Sequence, residues 1–285
     1  MEYWKNYLLP NTVNEAISGL LHAPGMARVI AGGTDLLLDI RQGRNPQVDT
    51  LVDVSRIPEM LEIHSDVSGI YLGAAVTHKE IIKSSLLQEH ATCLVQACSL
   101  IGGPQVRNVA TIGGNVAHAL PAGDGTIALL ALDAEVEIAS EQGRRWMRVE
   151  DLFLGPGEVV FDRSKEILVQ FRIPDLRKGE KSGFQRVMRP QGVAIAILNM
   201  ALWIRLSEDR VIEDLRLGVG PAGPQPFRAR MTEQTLRGLR LTPETFSNAI
   251  ETLQSEAKVR TSSHRATKEY REHLLGILLT KLLVA

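Results

Sequence analysis

The run Ala27-Arg28-Val29-Ile30-Ala31-Gly32-Gly33-Thr34-Asp35 decides how this chain begins to fold. Its first four residues are a short apolar run that reads as a buried strand. The run breaks at the glycine pair, and Asp35 to Arg41 resumes with helical character. Two glycines at a strand exit permit positive φ and let backbone N–H groups approach an anion with no Cβ in the way, while the Thr34 hydroxyl adds a donor. A lone Gly-Gly is more simply a tight strand-to-helix turn with no ligand. The spacing matches neither the Gly-x-Gly-x-x-Gly of a nicotinamide-binding Rossmann unit nor the Gly-Lys-Ser/Thr of a P-loop, which disfavours both.

Outward from this turn the chain divides into three units. In residues 1–58, Asn11 or Thr12 caps a short helix carrying Val13, Ala16, Ile17, Leu20 and Leu21, Pro24-Gly25 ends it, and Thr50 to Val54 supplies a second strand. Residues 59–175 open with the hairpin-like Ile63-His64 and Gly69 to Ala74. A helix capped by Thr77 follows, with Glu80 in the capping-box position, and helical periodicity runs on through Leu86 to Ile101. Residues 102–125 are dense in glycine, proline and small polar residues, too irregular for a helix and too long for a plain turn, which is the profile of a functional loop. Beyond an apolar stretch, Ala128 to Leu132, come strands at Ala134 to Ile138, Arg145 to Val149 and Glu166 to Pro174, and a charged linker, Asp175 to Lys181. In residues 176–285, Ala194 to Leu206 and Val211 to Val219 read as strands of an antiparallel sheet, and Pro243 to Glu256 and Thr267 to Leu283 as helices. The fold class is α+β.

Composition limits the functions open to such a fold. The 285 residues are 44% apolar, enough for real cores, and 32 Lys plus Arg against 33 Asp plus Glu leave a net charge of -1. That balance offers no electrostatic footprint for nucleic acid or an anionic membrane. Met1-Glu2-Tyr3-Trp4-Lys5 lacks the basic and apolar stretches of a secretory signal, and no segment is long enough to span a bilayer, so a cytoplasmic location is expected. Cys93 and Cys98 cannot by themselves ligate an iron–sulfur cluster or a usual structural zinc. Five residues apart on a helix, they face different sides and read as ordinary buried side chains. The seven histidines show no metal spacing, and only His118 lies near the glycine-rich stretch.

A second small-residue turn, Arg107-Asn108-Val109-Ala110-Thr111-Ile112-Gly113-Gly114-Asn115, points to a ligand, because two such loops can grip one diphosphate from both sides. Asp124 follows in Leu120-Pro121-Ala122-Gly123-Asp124. An ionised carboxylate there suits the hydroxyls of a nucleotide or ribityl chain, although a loop aspartate closing its own turn is an equal reading.

With Ala31-Gly32-Gly33-Thr34-Asp35-Leu36, then Gly103-Pro104-Gln105-Val106 running on through Gly113-Gly114-Asn115, and Pro121-Ala122-Gly123-Asp124, the chain resembles the FAD-binding subunit of the molybdenum hydroxylases. This group includes xanthine dehydrogenases and carbon monoxide dehydrogenases. The resemblance covers essentially the whole chain, including a last helix opened by Ala266 to Arg271. It implies a two-subdomain FAD-binding fold of the vanillyl-alcohol oxidase type followed by a C-terminal α+β domain, an antiparallel sheet with helices.

Residue by residue, the resemblance implies that Arg28, Val29, Ile30, Ala31, Gly32, Gly33, Thr34 and Asp35 wrap the diphosphate of noncovalent FAD, and that Thr111, Gly114 and Asn115 complete the cradle. Asp124 is then placed on a sugar or ribityl hydroxyl, Ile101 or Gly102 against the flavin, and the segment around Val160-Phe161 near the isoalloxazine or adenine. Many relatives carry a Lys after the aromatic where this chain has Phe184-Gln185, leaving Gln185 as a hydrogen-bond donor to the flavin. Arg186 and Arg189 are open to facing the flavin cleft or a partner, although exposed arginines usually do neither, and an added Cβ at Gly33 or Gly114 is expected to obstruct both φ and ligand approach.

The resemblance further implies partners. A large subunit carries the molybdenum cofactor, a small subunit carries two [2Fe-2S] clusters, and NAD or another molecule accepts electrons from the flavin, with no catalytic side chain and no metal ligand on this chain. A purine substrate such as xanthine is the expectation for the complex. The rival readings are a self-sufficient flavin oxidase of the same fold and a non-catalytic assembly subunit without flavin.

Overall fold

The computed structural model describes residues 3–44, 48–174, 180–189 and 195–284. The chain opens with β1 (Asn6–Leu8), α1 (Val13–His22), β2 (Ala27–Ile30), α2 (Leu36–Arg41) and β3 (Thr50–Asp53). These strands form a parallel sheet in the order β1-β3-β2. Thr12, not Asn11, caps α1 by accepting a hydrogen bond from the Glu15 N–H at 3.1 Å. Helix α1 packs Val13, Ala16, Ile17 and Leu20 onto one face of the sheet beside Ala27 and Val52. On the other face, Leu36, Leu37 and Ile40 of α2 cover Ile30, Val48 and Leu51. A small sheet buried on both sides is what short, nearly all-apolar strands require.

The second layer holds β4 (Ile63–Asp66), β5 (Gly69–Gly73), α3 (His78–Lys83), α4 (Ser85–His90), α5 (Thr92–Leu100), α6 (Pro104–Arg107), α7 (Ile112–His118), α8 (Asp124–Ala131), β6 (Glu135–Ser140), β7 (Gly143–Arg148), a ribbon of β8 (Phe153–Gly155) and β9 (Glu158–Val159), and β10 (Ile167–Pro174). Strands β4-β5-β10-β6-β7 make an antiparallel sheet. Both halves of the Thr77–Glu80 capping box are formed at the start of α3.

The helical periodicity expected to continue to Ile101 is broken twice. Ser84 and Ala91 leave helical geometry, and Ser84 caps α4 through the Leu87 N–H. The stretch 102–125, expected to be irregular, contains α6 and α7. Pro104 stands in the first turn of α6, and the Thr111 hydroxyl caps α7, so local capping makes helices where composition argues for a loop.

The third layer is the antiparallel sheet of β11 (Glu180–Val187), β12 (Leu198–Leu206), β13 (Ile212–Gly220) and β14 (Phe227–Arg228), with α9 (Arg230–Leu236), α10 (Pro243–Glu256) and α11 (Lys268–Val284). Most of the expected linker, 175–179, lies outside the described residues, but Glu180 and Lys181 already belong to β11. The strand expected from Ala194 starts at Leu198, and Ala194 also lies outside the described residues. Strand alternation gives this sheet two buried faces. Phe184, Ala201 and Trp203 join the core of the second layer. Leu198, Met200, Leu202 and Ile204 instead pack with Leu274, Leu275, Leu278 and Leu279 of α11.

A buried ion network ties the second and third layers. Glu233 accepts from Arg228 Nε at 2.9 Å, Arg228 Nη2 at 2.8 Å and the Leu217 N–H at 2.9 Å, while Arg228 Nη1 reaches Asp133 at 2.6 Å. Removing one partner of a buried pair strands the other as an uncompensated charge. Glu233→Ala is expected to lower the unfolding free energy by about 3 kcal/mol, read from the urea midpoint; a loss below about 1 kcal/mol would mean that Asp133 alone sustains Arg228.

Candidate functional site

A cleft of about 600 Å³ runs between the layers, within the size range of small-molecule sites. Its architecture starts from one missing methyl group. A Cβ on Gly32 would lie 2.7 Å from the Val109 carbonyl carbon and 2.8 Å from Ala110 Cα, so only glycine lets the loop after β2 touch the loop before α7. Gly33 then turns through a left-handed φ of +66°.

The second loop is pinned from below by backbone bonds. The His78 N–H donates to Ala110 O at 3.0 Å, the Ile112 N–H to Val76 O at 3.1 Å, and the Gly113 N–H to Ala74 O at 2.8 Å. Gly113 also needs its missing side chain, because a Cβ there would lie 2.7 Å from Ala74 Cβ. Gly114 differs from the sequence-based expectation. It sits in the first turn of α7 without left-handed φ, and an added Cβ would meet only the Thr111 hydroxyl at 3.1 Å, so φ gives no reason for glycine there.

Arg28 through Asp35, Ile101, Gly102, Thr111, Gly114, Asn115, Asp124 and Phe161 all line this cleft. Gln185 is not among its lining residues. Strand β11 alternates, and the face that buries Phe184 against the first core is the face that carries Arg186 into the cleft, so Gln185 points the other way, on the side of Val187 and the α11 core. Arg186, which the sequence leaves open between the cleft, a partner and plain exposure, lines the cleft with a side chain only 6% exposed. Period-two counting from Phe184 is the signal that identifies it.

Asp124 forms the polar floor of the cleft. One carboxylate oxygen pairs with Arg186 Nη1, and the other accepts from Asn199 Nδ2 at 2.5 Å. Burial pushes the Asp124 carboxyl above its ordinary pKa, opposed by the Arg186 charge and the bond from Asn199. A carboxylate has about four lone-pair sites, so Asp124 can still accept from a ligand hydroxyl. Asn115 has its carboxamide oxygen committed to the Thr126 N–H at 3.0 Å and the Thr126 hydroxyl at 3.2 Å, which turns its NH₂ into the group available for donation.

Two further residues shape the site. Arg107 donates to Ile101 O at 3.0 Å and Gly102 O at 2.7 Å, holding the turn in which Gly102 has φ +50°. Beside it His78 is buried against the cleft, and burial, reinforced by the Arg107 charge, lowers its pKa from 6.5 to about 4. This imidazole is neutral at physiological pH. Cys93 and Cys98 both lie fully buried in α5, with burial raising the Cys93 thiol to about 12 and the Cys98 thiol upward too.

The family model described as FAD binding domain in molybdopterin dehydrogenase matches residues 2–176, and that described as CO dehydrogenase flavoprotein C-terminal domain matches residues 183–285. The chain is 34% identical over 275 residues to a xanthine dehydrogenase FAD-binding subunit of Escherichia coli O157:H7, covering 95% of this chain and 92% of that one. It is 31% identical to the nicotinate dehydrogenase FAD-subunit of Eubacterium barkeri, over 86% of this chain and 83% of that one. A solved structure of carbon monoxide dehydrogenase from Hydrogenophaga pseudoflava superposes with a TM-score of 0.93 at 26% identity, over all of this chain and 98% of its counterpart. The chain therefore belongs to the FAD-binding medium subunits of the molybdenum hydroxylases, a family of oxidoreductase subunits. Among the described residues, no helix is long and apolar enough to cross a membrane.

The residues present fit FAD: backbone replaces side chains where the two loops meet, and amide and hydroxyl groups line the cleft around them. Gly32→Ala is expected to force the loops apart, weakening FAD binding more than tenfold in a flavin-fluorescence titration, on the scale of about 1.4 kcal/mol per decade. Gly114→Ala, with only a hydroxyl to displace, should cost less. His78 supplies a pH signature. Its folded pKa lies below its unfolded one, so the folded chain binds fewer protons, and the contribution present above pH 6.5 is lost as pH falls toward 4. Thermal stability should fall across that window by an amount worth up to about 3 kcal/mol, and His78→Gln should flatten the decline.

Proposed function

We propose that this chain is the electron outlet of a molybdenum hydroxylase complex, in which electrons from a large molybdenum-cofactor subunit cross two [2Fe-2S] clusters on a small subunit to FAD held here, and leave to NAD or another acceptor. Xanthine or a related purine is the proposed substrate class, supported by the similarity to a relative named as a xanthine dehydrogenase subunit. The reading rests above all on the apposition of Gly32 with Val109–Ala110, which brings two glycine loops onto one cleft.

In this reading residues 1–58 and 59–175 supply the two sides of the cradle, and residues 176–285 close its end with Arg186. The backbone from Arg28 to Asp35, with Thr111, Gly114 and Asn115, binds the diphosphate. Asp124 accepts from a sugar or ribityl hydroxyl, while Ile101, Gly102 and Phe161 give apolar contact that excludes water from the rings. Gln185, directed away from the cleft, is not assigned a contact. FAD when bound supplies the ability to take up electrons singly and release them as a pair. The chain's own part is to bind, orient and shield that cofactor, and no side chain serves as nucleophile or general base.

The purified chain should show the visible absorption of an oxidised flavin, turn over no organic donor unaided, and co-purify with a cluster-bearing subunit when expressed with its partners. Turnover by the isolated chain would instead make it a self-sufficient oxidase, and a colourless protein that ignores added FAD would make it an assembly subunit.

A further inference from the structure

The charges around the cleft are unevenly matched. Each of three acidic residues that line it already has a cation: Asp124 pairs with Arg186, Glu166 with Arg145, and Asp39 with Arg44 at 3.7 Å. Asp35 stands exposed at its edge and accepts from Thr34 at 3.4 Å. Two arginines facing the same space have no such match. Among the described residues neither Arg28 nor Arg163 has an acidic group within ion-pair distance. Arg28 makes only a marginal 3.5 Å contact to Ala27 O, and Arg163 donates through Nη2 to Ala117 O at 2.5 Å.

The two guanidinium groups also repel one another. Burial and the neighbouring Arg28 charge hold the Arg163 pKa below its ordinary value. Two half-buried like charges with no acidic partner among the described residues are costly, and an anion entering between or beside them relieves that cost. Arg163 is fixed for that task by the backbone on both sides of it. Asp162, just before it, caps the following turn through the Ser164 N–H at 2.8 Å, and the Asp162 N–H donates to Glu166 at 2.7 Å. With one amino group spent on Ala117 O, the planar fork retains donors for a phosphate oxygen.

We infer that Arg28 and Arg163 form a cationic clamp that takes the phosphate portion of the dinucleotide, with Arg163 supplying a charge from outside both glycine loops. The inference rests on the FAD-binding reading above and adds to it a residue that neither glycine loop contains. Amides recognise a phosphate by hydrogen bonding alone, whereas the clamp makes affinity depend on charge and therefore on ionic strength.

The test uses the flavin-depleted full chain, titrated with FAD and with riboflavin, which has no phosphate, at low and high salt. Arg163→Gln should weaken FAD about tenfold, the worth of a charge-assisted hydrogen bond. It should also flatten the salt dependence of FAD affinity and leave riboflavin binding unchanged. Arg163→Lys should recover part of the loss, and Arg28→Gln, with an unchanged circular dichroism spectrum, should repeat the pattern. Equal weakening of riboflavin and FAD would make Arg163 merely structural and overturn the clamp. So would an unchanged FAD affinity, or a loss confined to NADH binding, which would assign the arginines to a second nucleotide. A wild-type chain that binds neither flavin would bring down the FAD reading itself, an outcome distinct from a wild type that binds FAD and an Arg163→Gln variant that binds it equally well.

Discussion

The first and second layers of the cleft meet backbone on backbone at Gly32 against Val109 and Ala110, where a Cβ would not fit. Everything else about the site follows from that contact. Because no side chain intervenes, the loop that ends β2 and the loop that begins α7 can present their amides to one volume, and residues nearly eighty positions apart act as one surface. The ladder from Ala74, Val76 and His78 to Ala110, Ile112 and Gly113 fixes the second loop before any ligand arrives. The site is thus preorganised, and binding need not supply the ordering of its loops.

The third layer is bound into this arrangement rather than appended to it. Asp124 belongs to the second layer, but both of its oxygens are held by residues of the third, Arg186 and Asn199, and Asn199 also donates to Ala122 O at 3.1 Å. Phe184, Ala201 and Trp203 bury themselves in the second layer's core, so the sheet of β11 to β14 could not swing away without exposing them. The Arg228–Glu233–Asp133 network adds a second tie just past the other end of α8. The floor of the cleft is therefore a junction, and its geometry depends on two layers staying in register.

Much of this was legible in the sequence where one local rule governs the outcome. The strand, glycine turn and helix around Gly32-Gly33, the capping box at Thr77 and the helix opening at Pro243 each answer to residues within a few positions. The glycine pairs located the cleft. What composition hid were the helices inside 102–125, since the small residues that argue for a loop are there to permit close packing, as Gly113 does against Ala74. Gln185 and Arg186 show a different limit. Which of two adjacent strand residues enters a site depends on which face is buried, and only the partner of Phe184 settles it. The contact of Arg163 was hidden for a third reason: its guanidinium reaches Ala117 O, a carbonyl 46 positions away that only the fold brings near.

The buried titratable groups near the cleft point to a site built to stay chemically quiet. His78 is held neutral, and both cysteines are kept as protonated thiols inside α5, away from solvent. A thiolate near a redox cofactor would be a competing nucleophile and reductant, and burial in an apolar helix removes it. Asp124 is fixed by two partners and so cannot swing to act as a mobile base. A chain that binds FAD as one subunit of an oxidoreductase needs fixed dipoles and unreactive walls more than it needs reactive side chains. That requirement accounts together for the tied carboxylates, the silent thiols and the backbone-built cradle, and it leaves Arg28 and Arg163, without acidic partners among the described residues, as the charges open to an incoming anion.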